Sequence, residues 1–250
     1  MFRIVIPARY ASSRLPGKPL AAIAGKPMIE WVYERARATR AREVVIATDD
    51  ARIETVARGF GATVMMTAAE HASGTDRIAE VAARRGWADD EVVVNLQGDE
   101  PNLPAELVEQ VAELLLAHPR AALATLATPV LSREEYLDPN AVKVVTDLQG
   151  RAMYFSRAPI PWDRDHAEGG EGYRSARRHL GLYAYRVGAL LQLAAAAPTP
   201  YEEIEKLEQL RALAHGMEIR VADALRRPGP DVNTAEDLAR AAAALAASKD

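Results

Sequence analysis

Four short apolar runs, each followed by a stretch with helical spacing, limit this chain to a narrow set of folds. Phe2–Ile6, Glu43–Thr48, Ala62–Met66 and Val92–Leu96 are rich in valine and isoleucine and read as strands. Between and after them, 27–37, 52–58, 75–85 and about 104–117 place apolar residues three and four apart, as amphipathic helices do. Repeated strand–helix alternation with near-continuous apolar strands predicts a mainly parallel sheet covered by helices on both faces. In such sheets ligands gather beyond the carboxyl ends of the strands. Three loops are expected to share that edge: Arg9–Lys18 after the first strand, Thr48–Asp50 after the second, and Gln97–Pro101 after the fourth. The first strand is predicted to stop near Ile6, because Pro7 has no N–H for a ladder.

The first loop carries the strongest chemical signal. Arg9, Arg14 and Lys18 are interleaved with Ser12, Ser13, Pro16 and Gly17. Three cations, two hydroxyls and a glycine that lets backbone N–H groups approach closely suit a polyphosphate. The chain has only five lysines, two of which, Lys18 and Lys26, lie in or just after this loop. Elsewhere the cation is arginine, so Lys18 reads as a compact point charge. The segment matches neither G-x-x-x-x-G-K-[ST] nor G-x-G-x-x-G, so a nucleotide here is held by another kind of loop. Asp99 in Gln97-Gly98-Asp99-Glu100-Pro101 can hold Mg²⁺ against bound phosphates, or cap the helix that begins near Pro104. Ser73, Gly74 and Thr75 precede a helix, where one hydroxyl is expected to cap and the remaining groups can read a base edge.

The second half alternates less regularly. Strands are expected at 121–127, 142–146, 152–156, 179–186 and 218–221, with one helical run over 202–215 and a closing helix from Ala235. Residues 163–178 read as a polar, mobile loop. No repeat or composition break divides the 250 residues, so one domain is expected, with a lobe at about 125–190. The charge of −4 argues against nucleic acid or a membrane surface as partner. With no cysteine, disulfides, thiolate catalysis and cysteine-held zinc are excluded. The first apolar run is too short for a secretory signal and no run reaches membrane-spanning length, so a cytoplasmic soluble enzyme is expected.

Nine blocks run in order from Pro7 to Leu238: PARYASSRLPGKPL, ATDD, HASGTDR, VNLQGDEP, NAVKVV, YFSRAPIPWDRD, RHLGLYAYR, EKLEQLRAL and VNTAEDL. Together they closely resemble the 3-deoxy-manno-octulosonate (Kdo) cytidylyltransferases; the first loop, in looser form, is shared with other nucleotide-sugar pyrophosphorylases. The resemblance implies a three-layer, Rossmann-like α/β nucleotidyltransferase fold with a mixed sheet, and a homodimer to which the middle lobe contributes. It implies the Mg²⁺-dependent reaction of CTP with Kdo to CMP-Kdo and pyrophosphate, a step in lipopolysaccharide biosynthesis. By the same resemblance Arg9, Arg14 and Lys18 hold the triphosphate, Ser73 and Gly74 contact cytosine, and Asp99 binds the metal. Gln97, Arg157, His179, Tyr183, Glu208 and Gln209 are implied around the sugar acid. Where many family members read G-V-D-T, this chain has Asp231-Val232-Asn233-Thr234. Asn233 offers a second metal site only a neutral carbonyl, so weaker Mg²⁺ affinity is expected than in a relative with aspartate there. Sialic acid or 8-amino-Kdo as the sugar, and a catalytically dead nucleotide-binding relative, are the competing readings.

Overall fold

The computed structural model describes all residues but 12–14, 166–170, 230, 233 and 248–250, and omits the side chains of residue 235 and residues 244–247. Arg14 and Asn233, both expected in the site, lie outside the described residues. The first half alternates as its sequence predicts. β1 (Phe2–Ala8) leads through a small hairpin, β2 (Ala22–Ile23) and β3 (Lys26–Pro27), into α1 (Met28–Arg37). Then follow β4 (Glu43–Thr48), α2 (Ala51–Gly59), β5 (Thr63–Met66), α3 (Gly74–Arg85), β6 (Val92–Asn95) and α4 (Ala105–Leu116). The second half adds β7 (Leu123–Pro129), α5 (Arg133–Leu137), β8 (Lys143–Thr146), β9 (Ala152–Ser156) and the long β10 (Arg177–Arg186). It closes with α6 (Val187–Ala195), α7 (Pro200–Glu205), α8 (Gln209–Ala214), β11 (Ile219–Asp223) and α9 (Ala235–Ala247).

The main sheet runs β11-β7-β10-β6-β1-β4-β5, with β8 and β9 attached through β10. Strand β10 is antiparallel to both β6 and β7, whereas β1, β4, β5 and β6 pair in parallel, as do β7 and β11. The start of β10 therefore lies at the carboxyl edge of its neighbours, with Arg177 opposite Pro129. Side chains alternate across the sheet with a period of two. Ile4 and Ile6 bury against Ile29, Ile53 and Leu107 of α1, α2 and α4. Val5 and Val45 bury on the other face against Ile78 and Leu190 of α3 and α6. Each such side chain contributes about 1.5–3 kcal/mol on burial, and the two cores make the sheet the rigid middle of three layers.

Two local expectations are corrected. β1 continues through Pro7, which pairs in register with Ala47. Val5 accepts from Leu96 N, so by parity the N of Pro7 faces the β6 side, where β6 has already ended at Asn95. A missing N–H costs nothing where the neighbour has turned away. The second correction concerns the helical run at 202–215. It is broken at Lys206, which adopts a left-handed conformation at φ 53° and separates α7 from α8. Arg211 staples the two pieces, its Nε and Nη2 donating to Glu202 at 2.9 and 2.5 Å. The break puts Glu208 and Gln209 at the start of a new helix, pointing differently from a continuous one.

Candidate active site

The first loop is shaped by its own backbone and by one aromatic ring. Gly17 N donates to the Tyr10 carbonyl at 3.0 Å, closing the loop, and Gly17 sits at φ 70°. A Cβ there would meet the Tyr10 ring at 3.1 Å, so glycine is required for both conformation and space. The same ring carries the guanidinium of Arg52, from α2, 3.3 Å from its centroid. Lys18 emerges from this closed loop with Nζ donating to Asp99 Oδ2 at 2.6 Å and to the Val232 carbonyl at 3.0 Å. An ammonium has three donors, so one remains for an incoming oxygen. Arg9 is exposed and, among the described residues, makes two long contacts, at 3.4 Å, with the carbonyls of His71 and Ala72. His71 is anchored in turn to Glu80 at 2.6 Å. Burial works against Glu80's charge, yet bonds from Ala68 N, His71 and Arg84 bring its pKa down to about 2. Gly98 brings the loop after β6 against β1: a Cβ on it would lie 3.0 Å from the Pro7 carbonyl.

The start of α3 joins the nucleotide side to the opposite wall. Ser73 caps the helix in a capping box with Asp76, as its position predicts. Its hydroxyl also donates to Glu208 Oε1 at 3.0 Å, and Thr75 donates to Oε2 at 2.7 Å. Burial raises the pKa of Glu208 against the opposing pull of those two hydroxyls and Arg211. Gly74 packs on Pro7, with Gln97 Oε1 4.0 Å from where its Cβ would be. Gln97 is held by donating to Asn95 at 3.1 Å.

Beside these loops opens a cleft of about 500 Å³, with His179, Tyr183 and Gln209 on its wall. A smaller hollow of about 110 Å³ shares Tyr183 and Gln209 with it and adds Gly74, Gln97 and Glu208. Five of the six residues implied around the sugar acid thus line this cleft or the hollow beside it. Arg157 is the exception. Its Nε donates to the Glu205 carbonyl at 2.6 Å and its Nη1 to the Pro139 carbonyl at 2.9 Å, which ties it to the lobe. Its carbonyl accepts from Lys143, a fully buried lysine whose pKa burial lowers.

His179 is neutral, since burial lowers its pKa to about 3. Thr125 Oγ1 donates its one proton to a carbonyl, Leu180 at 2.9 Å or Leu182 at 2.8 Å. Its 3.1 Å contact with His179 Nε2 is then an Nε2–H donating to oxygen, which leaves Nδ1 as the acceptor. Tyr183 is held in its phenol form, its pKa pushed well up by burial and then by Tyr185. Four buried polar atoms on the cleft residues have no hydrogen-bond partner: Tyr183 Oη, Gln209 Nε2, Glu100 Oε2 and Thr128 Oγ1. Such atoms are rare in folded proteins, and water, an ion or a ligand supplies the partner.

At the junction of loop and cleft, Asp99, Glu100 and Asp231 lie close enough to act on one another, with Lys18 and Arg178 as cations beside them. Burial and the charges of Asp231 and Asp99 push the pKa of Glu100 well up. Asp231 keeps an exposed edge, yet the wall strips enough water, and Asp99 adds enough repulsion, to raise it too. Lys18 is the one ammonium bonded to this group among the described residues. A carboxylate such as Asp99 beside a cationic loop fits Mg²⁺, which is commonly bound by one or two carboxylates with phosphate and water completing its shell. Asp99 would hold it. Among the described residues no group of three or more acidic or histidine side chains is arranged to enclose a metal alone. The sequence missed Glu100 and Thr128 as cleft residues. Glu100 stands in the legible Gln97–Pro101 block, but an unpartnered atom is visible only in three dimensions, and Thr128 carries no local signal.

Comparison with known proteins bears on the same geometry. A cytidylyltransferase family model matches residues 3–219. A protein of Thioalkalivibrio sulfidiphilus named 3-deoxy-manno-octulosonate cytidylyltransferase is 56% identical over 241 residues, 96% of each chain. One of the same name from Halorhodospira halophila is 54% identical over 252 residues, 99% of this chain and 98% of its own. The solved structure of CMP:2-keto-3-deoxy-manno-octonic acid synthetase complexed with CTP superposes with a TM-score of 0.91 at 41% identity, covering 99% of this chain and all of that one. A cytidylyltransferase from Leptospira borgpetersenii, at 17% identity and a TM-score of 0.63 over 98% of this chain and 86% of its own, shares the fold.

Proposed function

This chain belongs to the cytidylyltransferase family, and from that premise we propose that it performs the reaction of its Kdo-activating members. CTP and the sugar acid combine to CMP-Kdo and pyrophosphate. The anomeric hydroxyl of the sugar attacks the α-phosphorus; an oxygen–phosphorus bond forms there as the bond to the departing pyrophosphate breaks and the hydroxyl proton is released. Catalysis of such transfers is mostly positioning and charge neutralisation. Lys18 offers its third donor to a phosphate oxygen without leaving Asp99. Arg9 and Arg14 are assigned to the same triphosphate, Arg9 having most of its donors uncommitted. Ser73 and Gly74, at the start of α3, are assigned to the cytosine edge. Gln97, His179, Tyr183, Glu208 and Gln209 are assigned to the sugar, and Arg157 to its carboxylate, for which its guanidinium must leave the Glu205 and Pro139 carbonyls. Mg²⁺ held by Asp99, with Asn233 as a neutral second donor, would neutralise phosphate charge.

The observation that carries this reading is the meeting of Lys18 and Asp99, 2.6 Å apart, at the mouth of a cleft whose polar atoms await partners. A place in the cytoplasm and a homodimer through the lobe complete the proposal. The test is pyrophosphate release with Kdo and each of CTP, UTP, ATP and GTP. Release is expected with CTP and Kdo together, lost when either is omitted or EDTA is added, restored by Mg²⁺, and reduced at least 100-fold in Lys18→Ala. Release only with a different sugar acid, or none from folded protein that binds CTP, would overturn it.

A further inference from the structure

Among the described residues six buried side-chain polar atoms lack any partner, and four of them belong to residues of the one 500 Å³ cleft. Tyr183 and Gln209 are accounted for by their place in the sugar site. Glu100 Oε2 and Thr128 Oγ1 carry the same signature and come from two further elements, the loop after β6 and the end of β7. Leaving a buried polar group unsatisfied costs folding free energy, so chance clustering of four around one space is a poor account. The rest of the wall mixes aliphatic side chains, Leu103, Val142, Leu180 and Leu207 among them, with polar and charged ones such as Arg178 and Arg227. Apolar surface studded with separated hydrogen-bonding atoms is complementary to a polyhydroxylated carbon chain, whose C–H faces and O–H groups alternate.

We propose that Thr128 and Glu100 are specificity-determining residues that hydrogen-bond hydroxyl groups of the acid sugar. The inference rests on the Kdo reading of this cleft and deepens it. Thr128 is 3% exposed and its hydroxyl does no work in the empty protein. Removing that hydroxyl while keeping the shape must therefore weaken the sugar and leave the fold intact, a combination that a structural hydroxyl cannot give.

The experiment measures KM for Kdo, KM for CTP and the melting temperature in the parent, Thr128→Val and Glu100→Gln. Singly deoxygenated Kdo analogues are run against each protein. For Thr128→Val, KM for Kdo is expected to rise about 3- to 10-fold, the range for one neutral hydrogen bond. KM for CTP should stay within twofold and the melting temperature should hold or rise. One analogue should be penalised in the parent and not in the variant, and a different analogue should lose its penalty in Glu100→Gln. An active parent whose variants keep every analogue penalty, or a Thr128→Val that melts earlier with KM for Kdo unmoved, overturns the inference and leaves the Kdo reading standing. A parent that does not use Kdo at all overturns both.

Discussion

His179 shows what enclosure does to a titratable side chain and how that can be checked. Its folded pKa of about 3 lies below the ordinary 6.5. Above pH 6.5 it is neutral in both the folded and unfolded states and exerts no pull on stability. Between 6.5 and 3 the unfolded chain takes up a proton there that the folded chain refuses, so stability falls as pH falls. Replacing it with asparagine should flatten the decline in unfolding free energy between pH 6 and 4 by up to about 1.4 kcal/mol per pH unit, read by urea melts. Equal slopes in parent and variant would show that the imidazole is hydrated. At this scale the sequence was informative where chemistry needs a particular residue type. Lys18 stood out as a rare lysine among arginines, and Asp99 as a carboxylate just past a buried strand; the two prove to be bonded. Glu100 was hidden by its ordinariness, since a glutamate after a strand is commonly solvated.

Elements were legible as far as their periodicity was local. β4 and β9 have the bounds read from the chain, and α1 and α3 begin within one residue of them. The break between α7 and α8 was not legible, because Lys206 is a good helix former and nothing near it announces a left-handed residue. The Arg211–Glu202 staple clamps it within the run, and the bonds from Ser73 and Thr75 to Glu208 hold it from outside the segment. A non-glycine residue in that conformation costs about 1–2 kcal/mol. Lys206→Val is expected to lower stability by about 1–2 kcal/mol and to raise KM for Kdo, because Glu208 and Gln209 depend on the turn. Lys206→Gly should keep both near the parent values. Chemical denaturation with steady-state kinetics decides it, and a fully stable, fully active valine variant would show that the turn is unstrained.

For the whole molecule the open question is association. Met153 of β9 and Tyr201 and Ile204 of α7 are 65%, 61% and 79% exposed, and the two elements are tied by Ser156 and Arg157 bonding to Glu205. Large exposed apolar side chains such as Tyr201 and Ile204, on one short helix, are expected at contacts between copies. Light scattering should give twice the mass of the chain for the parent and a shift toward monomer for Ile204→Asp; a monomeric parent would remove the homodimer from the proposal. The resemblance implied a homodimer and a contributing lobe, but not which side chains meet, because exposure at these positions depends on how the elements pack.

The reversed strand β10 divides the sheet in two. The loops that carry Arg9, Lys18 and Asp99 follow the parallel strands β1 and β6, whereas His179 and Tyr183 lie on a strand that enters against the grain and brings the lobe with it. The segment between the end of β7 and the middle of β10 carries Arg157 and His179 but leaves Gln97, Tyr183, Glu208 and Gln209 with the rest of the chain. It is also laced to β11 by Val221 N donating to the Gly150 carbonyl, and to α7 by Ser156 and Arg157 donating to Glu205. A chimera exchanging only that stretch between relatives that accept different acids should therefore keep the host's choice of acid, and should change it only when α7 and α8 travel with the insert.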